Sequence, residues 1–282
     1  MSATTYNREI PQDELQKRLE RSLDVLYRAG YWLVPSSRFL RIRKEFQRYA
    51  EAAAGAVPLK CLNWHLLSQG MLDAYQLHAI TTCQPIMSNY RREVQQMLSG
   101  PPLPRGNSRT FHRDLQFQLF VAANLSHMGF SVSLEEPDIR VEYRGVTFGV
   151  AVKRIHSARR LAERIEEANK QIDGQDLGGF VALGLEDLGL GEDGMVTLGP
   201  DEDLSGVAER LYALAEDRVM SLPAKKHALS ALGYLLWVFV PAIRLSSGRV
   251  ELSENRGAYY QGNHRYSELA REICLREPSQ VQ

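Results

Sequence analysis

Residues 135–154 read EEPDIRVEYRGVTFGVAVKR, and this stretch decides which fold the sequence predicts. The segments 138–143 and 147–155 favour β-strands because apolar and β-branched residues alternate or cluster in them. The Arg-Gly dipeptide between them is typical of a tight turn, so the two segments predict an antiparallel hairpin. Asp138 opens the first strand and Lys153 lies on the second, and we therefore expect their side chains to meet.

Around the hairpin, the sequence predicts elements in the order helix, strand, strand, strand, helix, strand. A helix over 110–128 and a strand over 130–134 come before it, and a helix from Ser157 and a strand over 180–185 follow it. Helices interspersed with short strands in this way predict an α/β (α+β) fold. The later sequence predicts a helix over 204–220, strands over 235–245 and 249–252, and a final helix over 266–276.

The chain divides into two predicted domains joined by a linker. Residues 1–98 have apolar side chains at helical spacing and predict an all-helical N-terminal domain. Residues 99–109 are rich in proline and glycine, which continue neither a helix nor a central strand, and we interpret them as the linker. Residues 110–282 then form the α/β domain. The helical domain is the part that we expect to bind a protein partner or to form a homodimer.

The composition is that of a globular protein, with 44% hydrophobic and 24% charged residues. Lys and Arg number 34, as do Asp and Glu, so the formal net charge is zero and excludes strong, indiscriminate binding to polyanions. Three widely spaced cysteines give neither a disulfide framework nor a zinc-binding spacing. No apolar segment approaches the ~20 residues of a membrane span, and no signal peptide is evident, so we expect a cytoplasmic protein without membrane contact.

A carboxylate beside a lysine in neighbouring strands is an arrangement that suits hydrolysis of a phosphodiester bond with the help of a metal ion. Mg²⁺ or Mn²⁺ held by carboxylates near Asp138 would offset phosphate charge and acidify a water molecule. Lys153 would position that water or stabilise the negative charge that develops on the phosphate. The hairpin therefore predicts a metal-dependent site for phosphodiester hydrolysis.

The motif Pro137-Asp138, followed by Val150-Ala151-Val152-Lys153-Arg154 in this element order, resembles the PD-(D/E)xK nuclease superfamily. The resemblance covers roughly residues 110–185 and implies a restriction-endonuclease-like core, in which helices flank a mixed central sheet. It also implies a metal-dependent nuclease that acts on nucleic acid, with DNA the expected substrate. Such folds are common in bacterial restriction and anti-phage systems, so the resemblance extends to a role as a defence effector.

The resemblance assigns roles to four positions. Asp138 matches the metal-binding aspartate of the superfamily, and Lys153 matches its catalytic lysine. Gln171 fits the glutamine that the following helix often supplies, where it would orient water or substrate. Gln118 occupies the position at which the preceding helix often supplies a metal-binding glutamate.

Two positions depart from the superfamily pattern. Ala151 stands at the second acidic position of the motif, and Gln118 stands at the position of the helix acid. One interpretation is a catalytically inactive nuclease-fold protein that acts as a nucleic-acid-binding or protein-assembly subunit. The other is that the carboxylates have migrated, because Glu135 and Glu136 lie just before Pro137-Asp138 and Asp114 lies one helical turn before Gln118. An interaction protein with no role in nucleic-acid chemistry is the third alternative.

Basic residues after the motif are candidates for contact with the phosphate backbone. We expect Arg160 and Arg164, four residues apart on one helix, to face the same side. The same helix carries glutamates, so a solvated, charge-balanced face is the alternative interpretation. The candidate nucleic-acid contacts are Arg154, His156, Arg159, Arg160 and Arg164.

Overall fold

The computed structural model describes residues 2–101, 111–155, 158–175, 178–185, 194–221, 231–244, 246–260 and 272. Its helices are α1 (Gln12–Arg28), α2 (Arg38–Ala53), α3 (Trp64–Thr82), α4 (Gln84–Asn89), α5 (Arg91–Leu98), α6 (Phe111–His127), α7 (Leu161–Asp173) and α8 (Leu204–Met220). Its strands are β1 (Ser2–Pro11), β2 (Ser131–Ser133), β3 (Ile139–Tyr143), β4 (Val146–Ile155), β5 (Gly179–Leu185), β6 (Val196–Leu198), β7 (Ala231–Arg244) and β8 (Arg249–Tyr260).

These strands form one mixed sheet in the order β1-β8-β7-β5-β4-β3-β2, and β6 pairs with the far end of β7. The β4, β5 and β7 strands run parallel, whereas β2, β3 and β4 pair antiparallel, as do β7, β8 and β1. The parallel step from β4 to β5 needs a crossover, and α7 provides it. The prediction of an α/β fold with a mixed sheet flanked by helices is confirmed; the restriction-endonuclease-like core stays a prediction.

The central hairpin has the predicted geometry. Ile139 pairs with Val150, and Tyr143 pairs with Val146, which leaves a two-residue turn. Arg144 and Gly145 form this turn with φ angles of 50° and 73°, the positive values that a type I′ hairpin turn requires. The register places Asp138, just ahead of β3, beside the C-terminal half of β4.

The two faces of the sheet bury two separate hydrophobic clusters. In β4, Phe148, Val150 and Val152 belong to the cluster that includes side chains of α1 to α6. Ala151 and Ile155 belong to the cluster that includes side chains of α7 and α8. Because strand side chains alternate between faces, α6 and α7 therefore cover opposite sides of the site-bearing strand.

The prediction that residues 1–98 are all helical is wrong for their first part. Residues Ser2–Pro11 form β1, which pairs antiparallel with β8 along its whole length. This segment lacks an apolar alternation of its own, and its strand depends on pairing with a partner more than two hundred residues away in the chain. The helices α1 to α5 occupy the rest of this part.

The strand predicted over 249–252 continues to Tyr260, and the polar residues in its middle are buried. Ser253, Glu254, Asn255 and Arg256 are all buried in β8. The Tyr75 hydroxyl donates a hydrogen bond to the Glu254 carboxylate, which offsets part of the cost of burying it. The strand is thus longer than predicted, and its polar middle lies in the interior of the sheet between β1 and β7.

Helix α6, which carries part of the candidate site, is anchored to the N-terminal helices. On α6, Phe117 and Phe120 share a hydrophobic cluster with residues of α1 to α5, so both sides of the predicted linker contribute to one core. Arg113 Nη2 lies 3.1 Å from Asp73 Oδ2 on α3, and Gln116 Nε2 donates to Asp73 Oδ1 at 3.2 Å. These buried contacts fix the position of α6 beside the sheet.

Two predicted segments fall largely outside the described ranges. Of the linker, residues 102–109 lie outside them, and of the final helix over 266–276 only residue 272 lies within them.

Within the described ranges, no helix has the length and apolar character needed to span a membrane.

Candidate active site

Asp138 and Lys153 meet at the end of the hairpin. Asp138 Oδ2 accepts a hydrogen bond from the Val152 backbone N–H at 2.7 Å. The same oxygen lies 3.2 Å from Lys153 Nζ, and both side chains are largely buried. Asp138 Oδ1 accepts no hydrogen bond from the described residues, so one carboxylate oxygen stays available to a ligand.

The Asp138 carboxyl is easier to protonate than an ordinary aspartate. Burial is the largest influence and raises its pKa, because the charged form loses hydration. The Lys153 ammonium and the Val152 N–H oppose this effect, and the negative charge of Glu136 adds to it. The net pKa is raised, so desolvation outweighs the ion pair.

Two glutamines from opposite faces of the sheet hold the backbone of the Pro137-Asp138 segment. Gln118 Nε2, on α6, donates to the Asp138 carbonyl oxygen at 2.7 Å. Gln171 Nε2, on α7, donates to the Pro137 carbonyl oxygen at 3.0 Å. Gln171 Oε1 is buried and accepts no hydrogen bond from the described residues. Both predicted glutamines therefore lie at the site, and each acts through its amide nitrogen on the backbone.

Close packing on β4 also places this segment. A Cβ atom at Gly149 would lie 2.6 Å from Pro137 Cγ and 2.7 Å from Pro137 Cδ. Only glycine lets the rigid proline ring pack this closely on the strand. Pro137 is buried by this contact, and Asp138 follows it directly.

A pocket of about 190 Å³ opens beside Asp138 and Lys153. Its lining combines three cations with two carboxylates, one amide and three apolar side chains. The lining residues are Phe111, Asp114, Leu115, Gln118, Asp138, Val152, Lys153, Arg154 and Arg164.

The candidate acids are unevenly placed around this pocket. Asp114 lines it, and its Oδ1 lies 3.8 Å from Arg154 Nη1. Glu136 is exposed and is not among the described lining residues, although its charge acts on Asp138. Ala151 is fully buried in the cluster on the α7 side of the sheet. The part of the chain that the structure describes contains no group of three or more His, Cys, Asp or Glu positioned to hold a metal ion.

The donors in the pocket fit a sparse hard-cation site. Asp138 and Asp114 bring carboxylates to one pocket, and Asp138 Oδ1 is accessible to a ligand. Mg²⁺ is commonly held by one or two carboxylates together with water and substrate phosphate oxygens. All these donors are oxygen atoms, which suits Mg²⁺ or Mn²⁺ rather than a thiolate- or imidazole-seeking metal.

The candidate basic residues differ in their surroundings. Arg154 is buried and lines the pocket, whereas Arg159 is exposed. Arg160 makes two hydrogen bonds to Glu163, at 3.0 and 3.1 Å. Arg164 lines the pocket and donates to Glu167 at 2.7 Å. The helix charges are thus largely balanced by neighbouring acids. His156 lies outside the described residues.

Sequence reasoning missed two features of the site. Phe111 lines the pocket with 52% of its surface exposed, although its apolar character and its place at a helix start give no sign of this. Arg154 looks like a surface cation in sequence but is buried against Asp114. The alternation in β4 is the signal for Arg154, because it places this residue on the same face as Val150 and Val152.

Comparison of the chain with protein-family models, with curated proteins and with solved structures gives no match in any of the three.

Proposed function

We propose that the protein is a metal-dependent nuclease that hydrolyses phosphodiester bonds, with DNA as its substrate. The observation that carries the proposal is the 3.2 Å contact between Lys153 Nζ and Asp138 Oδ2 at a pocket that Arg154 and Arg164 also line. A carboxylate, a lysine and further cations at one concave site are what phosphodiester chemistry needs.

In this proposal each side chain has a separate task. Asp138 holds Lys153 in orientation through Oδ2 and offers Oδ1 to a metal ion, with Asp114 as the second carboxylate. Bound Mg²⁺ or Mn²⁺ would supply charge neutralisation and a more acidic water molecule. The Lys153 ammonium stabilises the negative charge that develops on the phosphate. Arg164 contacts the flanking phosphate by exchanging its Glu167 partner for a phosphate oxygen.

Gln118 and Gln171 act as positioning residues in this scheme. Their amide groups hold the two carbonyls on either side of the Asp138 nitrogen and α-carbon, so the carboxylate is presented at a fixed angle. The proposal thus differs from the sequence expectation, in which Gln171 orients water or substrate.

A second candidate is a nucleic-acid-binding or assembly subunit that does not cleave. Two observations favour it. Gln118 uses an N–H group to bind the Asp138 carbonyl, which an ionised glutamate in its place has no proton to do. Ala151 is buried among apolar side chains, where an ionised acid would be costly.

A cleavage and binding assay separates these candidates. Purified protein is incubated with DNA and with RNA in Mg²⁺ or Mn²⁺, beside Lys153→Ala. The control is Lys170→Ala, which removes an α7 lysine whose side chain is 74% exposed and paired with Glu166 away from the pocket. Cleavage by the parent and the control, and none by Lys153→Ala, supports the nuclease. Salt-sensitive binding without cleavage supports the second candidate. A protein that neither cleaves nor binds nucleic acid contradicts both candidates.

A further inference from the structure

Phe111 is an unusual aromatic residue for its helix. On α6, Phe117 and Phe120 are fully buried, whereas Phe111 at the helix start is 52% exposed. Its ring contacts the His112 ring edge-on at 5.5 Å, and His112 Nδ1 lies 2.8 Å from the Gln96 carbonyl oxygen of α5. Phe111 therefore contacts a histidine that α5 holds in place, and it also lines the pocket.

The exposed ring of Phe111 lies next to cationic side chains. Folded proteins expose single apolar side chains routinely, so the exposed ring on its own indicates nothing. Here the ring borders the same pocket as Lys153, Arg154 and Arg164. An aromatic face next to cations is the arrangement with which proteins bind a base and its phosphate together.

The size of the pocket limits what it takes. Its volume of about 190 Å³ lies below the roughly 300 Å³ at which pockets for drug-sized ligands begin. It has room for one phosphate group, with the adjoining base resting on the ring at its rim. A base in a duplex has both faces covered by its neighbours, so it cannot stack on Phe111 without leaving the helix.

We propose that the pocket binds an unpaired nucleotide of single-stranded nucleic acid, with its base stacked on Phe111 and its phosphate beside Lys153 and Arg164. This inference rests on the proposed role of the site in nucleic-acid binding and narrows its substrate to unpaired strands. The contact depends on the aromatic face rather than on apolar character, since every base offers a π-surface to an aromatic ring.

The test compares Phe111→Leu and Phe111→Tyr with the parent protein. Binding is followed by fluorescence anisotropy with a labelled oligothymidine of about 15 nucleotides and with a duplex of the same length, in EDTA to prevent cleavage. We expect Phe111→Leu to bind the single strand about tenfold more weakly, and Phe111→Tyr to bind within about twofold of the parent. The parent should bind the duplex more weakly than the single strand. All three proteins should bind the duplex with equal affinity.

Tyr27→Leu is the matched control, because Tyr27 is 49% exposed on α1 and does not line the pocket. Unchanged thermal unfolding of each variant separates lost stacking from lost folding.

The outcomes separate this inference from the proposed function. Equal single-strand binding by the parent and Phe111→Leu overturns the inference, even where Lys153-dependent cleavage supports the nuclease. Phe111-dependent binding without any cleavage supports the inference and overturns the nuclease. A parent that prefers duplex, or that binds neither probe, overturns the inference.

Discussion

Gln118 and Gln171 bind successive carbonyl groups of one backbone segment from opposite faces of the sheet. Gln118 Nε2 donates to the Asp138 carbonyl at 2.7 Å, and Gln171 Nε2 donates to the Pro137 carbonyl at 3.0 Å. The segment that carries the site carboxylate is therefore clamped between α6 and α7, at the point where β3 begins beside β4. The clamp explains how a short loop presents Asp138 to Lys153 at a defined angle.

Gln118→Glu is expected to weaken this clamp. The substitution replaces a donor with an ionised oxygen that faces the Asp138 carbonyl, so both the hydrogen bond and its favourable geometry are lost. We expect the free energy of unfolding to fall by about 1–3 kcal/mol at neutral pH, measured by urea denaturation without divalent cations. The deficit relative to the parent should shrink at acidic pH, where a protonated glutamate donates again.

Gln95→Glu provides a control for the added charge, because Gln95 lies on α5 and bonds the exposed Trp32 backbone instead. A Gln118→Glu protein as stable as the parent at neutral pH would show that the amide hydrogen bond does not hold the segment.

Gly149→Ala is expected to displace Pro137 and, with it, Asp138. The added Cβ would lie 2.6 Å from Pro137 Cγ, and a proline ring has no flexible end that moves aside. Overpacking of this kind costs about 1–3 kcal/mol, and the displaced segment should separate Asp138 from Lys153. Urea denaturation measures the first effect, and the loss of metal-dependent cleavage or of nucleic-acid binding measures the second.

Gly206→Ala is the matched control on α8, where the nearest atoms to an added Cβ lie 3.7 Å away. It should leave both properties intact. A Gly149→Ala protein with full stability and full activity would contradict a positioning role for this contact.

Local sequence patterns predict part of the site. The turn at Arg144-Gly145 and the alternation on either side of it fix the hairpin, and the hairpin brings Asp138 to Lys153. Helix periodicity likewise predicts the helices that carry Gln118 and Gln171, whereas only the family resemblance marked these two positions as site residues. Apolar residues repeat every two residues in a strand and every 3.6 residues in a helix. Because these patterns span only a few residues, a single sequence is enough to detect them.

The unpredicted features depend on distant partners. β1 exists because β8 pairs with it, and β8 continues through Ser253–Arg256 because its polar side chains find partners such as Tyr75. The direction of the Gln118 amide and the exposure of Phe111 are set by how α6 lies against the sheet. Long-range packing decides such features, and no local pattern encodes them.

His78 should make the stability of the protein depend on pH. Burial and the positive charges of Arg18 and Arg21 lower its pKa from 6.5 to about 4, although Glu14 opposes this and His127 adds to it. Its buried Nδ1 has no hydrogen-bond partner among the described residues. At a pH between these two pKa values, the unfolded chain binds a proton that the folded protein does not. The free energy of unfolding is therefore unaffected by His78 above pH 6.5 and falls as the pH drops towards 4.

His78→Gln removes this titration. Relative to His78→Gln, the parent should lose on the order of 2 kcal/mol of unfolding free energy as the pH falls from neutral to about 4. Chemical denaturation at a series of pH values measures the difference. Parallel pH profiles for the two proteins would exclude His78 as its source.

Ala151→Asp introduces an acid at the position where the superfamily that the sequence resembles has one, and we expect it to destabilise the protein. Ala151 is fully buried in the cluster with Ile155 and Ile165, and an unpaired carboxylate there costs about 3 kcal/mol or more. Urea denaturation should show this loss, whereas Ala151→Ser should cost far less because a neutral hydroxyl can bond the backbone. The opposite result, a stable Ala151→Asp protein that cleaves DNA faster than the parent in Mg²⁺, would mean that an acid at this position reaches the pocket.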